Sequence, residues 1–512
     1  MTGKVYLIGG GPGDPGLITA RGLELLRQAQ VVVYDRLISP RLLSEAPKRA
    51  EFIDAGKETG RHALTQEAIN AVLVEKARSG KRVVRLKGGD PFLYGRGGEE
   101  AEALAAAGVP FEVVPGVSSA IAVAAYAGIP VTHRQLSSGL RVMTGHRAKE
   151  LSQPNVEPRD TVVALMAASR LPEVVRELIE EGWRADTPSA LIERGTTARQ
   201  RTVVTVLENV VATARDERIE APAILVVGEV VALRDRIRWA EARPLAGLRA
   251  LALGGDNGLG FAQRLESLGA ECQWTPVEEP IAPRSWQAVD TAVADLDSYS
   301  TIVFLTRRDV EAFLSRLQRK GRDLRALAGR LLATTPGEAA DALAAHGLRP
   351  DVLPRGRSAL ALATALKAGR QTGALLLVGQ GSVADDLTRL LAMDGISTTA
   401  VRAYATGRPV RLRRAIASSF AERPDIVVLR DGASVAALAD AESASLAIPI
   451  ATVGTDAKKG ALKAGLRPVI TARDMNTLVE ALVGRRRAPG QSAVTGSPRL
   501  DIQTTPAGGR LP

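Results

Sequence analysis

The sequence predicts an α/β protein with largely parallel sheets, and three observations carry that expectation. Apolar runs of strand length alternate with helical patterns along nearly the whole chain, Gly and Pro punctuate the joins, and the pattern restarts once in the middle. At 512 residues the chain is long enough for roughly three to four compact units. No period of about 20–50 residues repeats, which speaks against a solenoid.

Taken in order, "VYLI" (Val5–Ile8) is the first strand, and "GGGPGDPG" (Gly9–Gly16) leads from it into the helical "LITARGLELLRQA" (Leu17–Ala29). The runs "VVVY", "RVVRL", "FEVVP", "RVMTG", "TVVALM", "SALIE" and "AILVVG" continue the series to Gly228. A Pro- and Gly-marked link at Arg243–Gly247 then precedes a second series: "RALAL", "TIVFLT", "RLLAT", "ALLLVG", "TTAVRAY", "DIVVL" and "PIATVG". The expected division is residues 1–243, 248–484 and a disordered tail over 485–512, because the tail is rich in Gly, Pro, Ser, Thr and Arg and lacks periodicity.

The bulk numbers bound the function. Only 3% of residues are aromatic, which opposes reading single-stranded nucleic acid by base stacking. No apolar run approaches the roughly 18 residues that span a bilayer, and the start on "KVYLI" lacks a leader pattern, so a cytoplasmic enzyme without nucleic-acid or membrane partners is expected. A single cysteine, Cys272, rules out an internal disulfide and a Cys-rich metal site, and is expected to be partly buried. His62, His133, His146 and His346 show no ligand spacing, so no metal is expected. The formal net charge of +11 fits a polyanionic small substrate as well as nucleic acid, and the run Arg485–Arg487 places part of it in the expected tail.

The first loop has the glycine spacing of a dinucleotide cradle but the wrong chemistry. Such a cradle presents free backbone N–H groups to a pyrophosphate. Here Pro12 and Pro15 each remove an N–H, and Asp14 puts a carboxylate where phosphate would sit. A ligand without phosphate, lying close to bent backbone, suits this loop better. A second stretch, "RLKGGDPFLYGRGGEE", brings Gly88, Gly89, Gly95 and Gly97 around Asp90–Pro91, as expected where backbone approaches a ligand. A third, "VVPGVSSAIAVAAYAGIPVTHR", sets Ser118 and Ser119 at a helix start, either as caps or as ligand contacts.

Together with "VVVYDRLIS" and "LIERGTTARQR", these stretches closely resemble uroporphyrinogen-III C-methyltransferases, enzymes of the tetrapyrrole methylase fold, over about Gly3 to Arg243. The resemblance implies two α/β subdomains with S-adenosyl-L-methionine in the cleft between them, and a homodimer. It implies cofactor contacts at Pro12, Gly88, Gly89, Asp90, Leu93, Ser118, Ser119, Met166 and Gly195. Relatives often carry Thr-Ala where this chain has Ser118–Ser119. It assigns Asp35 as proton acceptor and Lys57 as proton donor; read without the family, these are a strand-end cap and a solvated lysine. Arg36, Arg85, Arg96 and Arg134 lie beside the motifs as candidate partners for the carboxylates of a tetrapyrrole.

From about Leu248 to Val483 the chain resembles uroporphyrinogen-III synthases through "TIVFLTRRDVEAFL", "GISTTAVRAYAT" and "IATVGTDAKKGALKAGLRPVI". That implies two α/β lobes joined by a two-stranded link, no cofactor, Tyr404 assisting hydroxyl departure, and substrate contacts at Thr306 and Thr455. Two stretches depart from the family: Arg430–Asp431 replaces a Ser/Thr-rich turn, and "LVGQGSVADDL" lacks a common Arg-Gly. The expected function is therefore a fusion that cyclises hydroxymethylbilane to uroporphyrinogen III and methylates it twice to precorrin-2. The alternative keeps the methyltransferase fold for a later precorrin, with a catalytically degenerate second half.

Overall fold

The computed structural model describes residues 3–56, 64–145, 160–255, 258–369, 373–410, 412–441 and 448–487. Its first sheet takes β1 (Lys4–Gly9), β2 (Val31–Tyr34), β3 (Glu51–Asp54), β4 (Arg82–Lys87) and β5 (Phe111–Val114) in the order β3-β2-β4-β1-β5, all parallel. Alternation along β1 explains the two packed faces. Tyr6 and Ile8 join Leu26, Val84 and Leu86 on one side, while Val5 and Leu7 join Leu73, Val83 and Leu104 on the other. The strand order reverses around β4 and β1, which opens a crevice at their carboxyl ends.

The second sheet contains β6 (Leu140–Thr144), β7 (Thr161–Leu165), β8 (Pro188–Glu193), β9 (Arg201–Val206) and β10 (Ala223–Val227), ordered β6-β7-β10-β8-β9. Only β6 and β7 pair in parallel; the other three pairings are antiparallel, so the expectation of largely parallel sheets fails here. The helix Ser119–Tyr126 comes from the first subdomain, yet Ala120, Val123 and Ala124 pack against Val163, Leu165 and Ile192 of this sheet. That helix welds the two subdomains and fixes the cleft between them.

The third region contains β11 (Arg249–Gly254), β12 (Glu271–Pro276), β13 (Glu279–Ile281), β14 (Tyr299–Phe304), β15 (Leu331–Thr334), β16 (Ala374–Val378), β17 (Thr398–Val401), β18 (Ala405–Gly407), β19 (Ile426–Leu429), β20 (Ile450–Val453) and β21 (Pro468–Ala472). They form two parallel sheets, β12-β11-β19-β20-β21 and β15-β14-β16-β17, joined by the antiparallel pair β13-β18. Two lobes on a two-stranded link is the architecture the sequence led us to expect.

Several strands escaped the sequence pattern. β3, β9, β12 and β21 are edge strands of their sheets, where half-burial thins the apolar run that marks a central strand. The expected tail also starts too early: the helix Met475–Arg487 runs through the arginines, and Arg485 donates to the Val469 carbonyl at 2.6 Å. Residues from 488 on lie outside the described ones. Cys272 is fully rather than partly buried, 1% exposed on β12, and burial pushes its thiol up to about 12. Among the described residues no helix is long and apolar enough to cross a membrane.

Candidate active sites

Three glycine-bearing loops meet at the carboxyl ends of β1, β4 and β5. Gly11 and Gly89, both at positive φ, exchange N–H···O bonds of 3.3 and 2.8 Å. A Cβ on Gly9 would lie 2.5 Å from the Gly116 Cα, so backbone touches backbone where any side chain would part the loops. Gly88, by contrast, has open space: a Cβ there meets only Leu37, at 3.9 Å.

Four N–H groups of the first loop are already engaged. Gly10 donates to the Lys87 carbonyl, Gly11 to Gly89, Asp14 to the Thr196 hydroxyl oxygen at 3.1 Å, and Gly16 to the Asp14 carboxylate at 2.8 Å. Pro12 and Pro15 have none to offer. This loop is poorly suited to cradle a pyrophosphate, as its residue types foretold. Asp14 serves instead as a tie, accepting the Tyr126 hydroxyl at 2.8 Å. Burial and that carboxylate push the Tyr126 phenol well above its ordinary range, so it stays a donor.

The remaining cofactor candidates surround the same crevice. Asp90 accepts the Phe92 N–H at 2.8 Å and the Gly116 N–H at 3.0 Å, so its carboxylate ties the second loop to the third. Ser118 is the N-cap of the helix Ser119–Tyr126 and accepts the Ala120 N–H, while Ser119 is the first residue of that helix. Leu93 is exposed beside Tyr94, whose hydroxyl donates to the Val142 carbonyl at 3.0 Å and so reaches the second subdomain. From that subdomain come Met166, 45% exposed, and Gly195, where a Cβ would strike Val123 at 2.2 Å.

Backbone strain gathers here too. Seven described non-glycine residues have positive φ, and five of them, Tyr94, Arg96, Met166, Arg194 and Thr196, stand on these loops. Such strain persists only where packing over-determines it, as at functional sites.

Asp35 follows β2 at the same end of the sheet and accepts from Arg85 at 2.6 Å. Behind it lies a buried relay: Arg85 and Lys87, each 3% exposed, both donate to one oxygen of the fully buried Glu100, at 2.9 and 3.0 Å. Burial and the Arg85 charge hold the Lys87 ammonium below its ordinary value. Arg85 is therefore not the free carboxylate binder the sequence allowed, and Arg96 pairs with Glu99 on the surface. Lys57 lies outside the described residues; its neighbour Gly56 packs against Arg36. Glu100 and Lys87 went unnoticed as site residues. The signal was present: two cations at alternate positions of a buried strand require a buried counter-charge.

In the third region, Thr306 is the N-cap of the helix Arg307–Arg319. Its N–H and hydroxyl both bond the Asp309 carboxylate, at 2.9 and 2.7 Å. Burial pushes Asp309 up to about 6 despite those bonds. Thr455 is the exposed first residue of the helix Thr455–Lys463, not a loop residue. Tyr404 is half-buried just beyond β17, with the Arg308 guanidinium 5.7 Å from its ring centre. All three stand at carboxyl ends of parallel strands, and Tyr404 lies between β17 and β18.

A cavity of about 450 Å³ lies where the methylase-like and third regions meet, lined by Asp14, Tyr126, Thr196, Arg243, Glu266 and Arg486 among others. Asp35, Gly88 and Met166 do not line it, so this cavity is distinct from the part of the crevice beside Asp35.

Comparison with known proteins gives two family matches: tetrapyrrole (corrin/porphyrin) methylases over residues 4–211, and uroporphyrinogen-III synthase HemD over residues 260–480. The porphyrin biosynthesis protein HemD of Ruminiclostridium josui is 40% identical over 413 residues, 79% of this chain and 82% of that protein. The siroheme synthase of Hahella chejuensis is 49% identical over 244 residues, 47% of this chain and 52% of the relative, so this chain spans about half of its length. Among solved structures, a uroporphyrin III C-methyl transferase from Thermus thermophilus shares 40% identity over 45% of this chain and all of its own, with a TM-score of 0.39.

Proposed function

The chain belongs to the tetrapyrrole (corrin/porphyrin) methylases, with a uroporphyrinogen-III synthase region fused behind the methylase, and we propose that it performs two consecutive steps of tetrapyrrole synthesis. The second region closes hydroxymethylbilane to uroporphyrinogen III, and the first methylates that product twice to precorrin-2. The fusion supports this order, since the product of one half is the substrate of the other.

One observation carries the methylase reading: a carboxylate, Asp35, is locked by the buried Arg85–Glu100 pair beside loops of bare glycine backbone, the first of which has little N–H left to offer a phosphate. Such a crevice fits S-adenosylmethionine, which has no phosphate to bind and supplies an activated methyl on sulfonium. Gly88 and Gly89 leave room for it against backbone, and Leu93 and Met166 offer apolar contact. The chain's task is positioning more than activation. A pyrrole carbon of the reduced macrocycle is electron-rich enough to form the new C–C bond as the methyl–sulfur bond breaks. Asp35 then accepts the proton released as the ring electrons reorganise. Arg85 holds the carboxylate toward the crevice while Glu100 balances the cation. Arg36 and Arg134, both exposed, are proposed partners for substrate carboxylates. We place the enzyme in the cytoplasm, as the sequence led us to expect, and as a homodimer, as the family resemblance implies.

A second reading, a methylase for a later precorrin with an inactive synthase region, draws on Thr306, whose hydroxyl and N–H are both turned inward to Asp309. Supplying methyl-labelled S-adenosylmethionine with uroporphyrinogen III decides the first half: two labels per macrocycle are expected, and transfer to a later precorrin or to RNA alone would overturn it. Supplying hydroxymethylbilane decides the second half. The inverted type III isomer is expected; only the uninverted isomer would leave the synthase region without its reaction.

A further inference from the structure

Arg430 stands where the sequence departs from the synthase family, at the end of β19. Its side chain runs across the bare backbone of Gly254, the last residue of β11; a Cβ there would come within 3.1 Å of Arg430 Cβ and of the Trp274 ring. The guanidinium ends 5.5 Å from the ring centre of Trp274, which belongs to the neighbouring strand β12. Trp274 is itself fixed, because its ring lies flat over Gly258, where a Cβ would fall 1.8 Å from it. Arg430 is thus stacked and held at the carboxyl edge of a parallel sheet, the edge where such sheets receive ligands.

Among the described residues no carboxylate pairs with Arg430. Asp431, next in the chain, is turned to other work: it caps the helix Gly432–Asp440, accepting Ser434 N–H at 2.7 Å and Gly255 N–H at 3.3 Å. A stacked guanidinium keeps its planar N–H fork free for a carboxylate, and stacking lowers the entropy lost when it binds.

We infer that Arg430, laid on Trp274 over Gly254, is a binding site for a carboxylate side chain of the polycarboxylate tetrapyrrole in the synthase cleft. This rests on the synthase reading above and adds to it a subsite in the first lobe. In this chain the arginine replaces the hydroxyl-rich turn of the relatives, so recognition shifts from hydroxyls to charge.

The full chain is the test object. Arg430→Gln is expected to raise KM for hydroxymethylbilane about tenfold or more, with kcat within about threefold. Arg430→Lys should recover part of the affinity, because it keeps the charge but loses the stacked fork. Methylation of uroporphyrinogen III should be unchanged in both variants, and a kcat for cyclisation within about threefold reports that the mutated lobe is folded. In parallel, isothermal titration with uroporphyrin III, a stable octacarboxylate, should show about tenfold weaker binding at one site in Arg430→Gln than in the wild type. An unchanged KM together with an unchanged isotherm overturns the subsite. If the wild type makes no type III isomer, the synthase reading fails separately and the isotherm alone decides: unchanged affinity on substitution sinks this inference too.

Discussion

Asp35 meets Arg85 at 2.6 Å and is only a third exposed, so its carboxylate is oriented by the protein and not by solvent. Asp35→Asn is expected to leave S-adenosylmethionine affinity unchanged and to slow methylation by about 10²-fold, the lower end of what a general base contributes. Single-turnover methyl transfer checks this, and an unchanged rate removes Asp35 from the role. Glu100 is a different kind of residue, since it touches no crevice surface but balances two buried cations. Glu100→Gln leaves Arg85 and Lys87 facing a neutral amide, at a cost of about 3 kcal/mol, the range for breaking one side of a buried pair. Urea unfolding measures it; a loss under about 1 kcal/mol would mean the cations find another counter-charge.

At the scale of elements, the site is built from turns that only particular residues permit. Gly195 sits between Arg194 and Thr196, both at positive φ, and faces Val123 of the welding helix. Gly195→Ala pushes a methyl into that helix; at a cost of about 1–3 kcal/mol it should weaken S-adenosylmethionine binding about tenfold or more, as titration would show. The capping box of Thr306 and Asp309 gives a pH prediction. Burial raises Asp309 from 3.8 to about 6, so the folded state holds its proton where the unfolded state has lost it. Stability is then highest below the unfolded value, falls as pH rises through the interval up to about 6, and is level above it. The drop is on the order of 1–3 kcal/mol, and Asp309→Asn should flatten it. Unfolding midpoints at pH 4, 5, 6 and 7 would reveal an unaltered slope if another group were responsible.

Across the whole molecule, the two halves are joined near the methylase crevice. Arg41 pairs with the half-buried Glu266, Arg199 bonds the Glu422 carbonyl, and Ala198 N–H, three residues past Gly195, donates to Glu271 at 3.3 Å. Burial raises Glu266 while Arg41 opposes that shift. Arg41→Ala leaves Glu266 without its counter-charge and should loosen the junction by about 1–3 kcal/mol. Faster proteolysis of the Arg243–Gly247 link would report it, and an unchanged cleavage rate would show that the pair holds nothing together.

Much of this was legible in advance, for reasons that differ by residue. Central strands such as "AILVVG" announce themselves because burial on both faces demands continuous apolar residues, while β3 and β21 do not, because edge burial is partial. The refusal of phosphate was readable at Pro12, Asp14 and Pro15 because a missing N–H and a fixed charge are local facts. Asp90 was readable as important, but not that its oxygens would bind Phe92 and Gly116.

By itself, then, the sequence determined the two regions, the alternation of strands and helices, and the glycine-lined crevice, since periodicity and backbone permissiveness act over a few neighbouring residues. Tertiary structure alone decided that Arg85 belongs to Asp35 and Glu100 instead of to a substrate, and that Arg430 lies on Trp274. Charge pairing and stacking depend on which distant segments the fold brings within a few ångströms, and no local pattern encodes that choice.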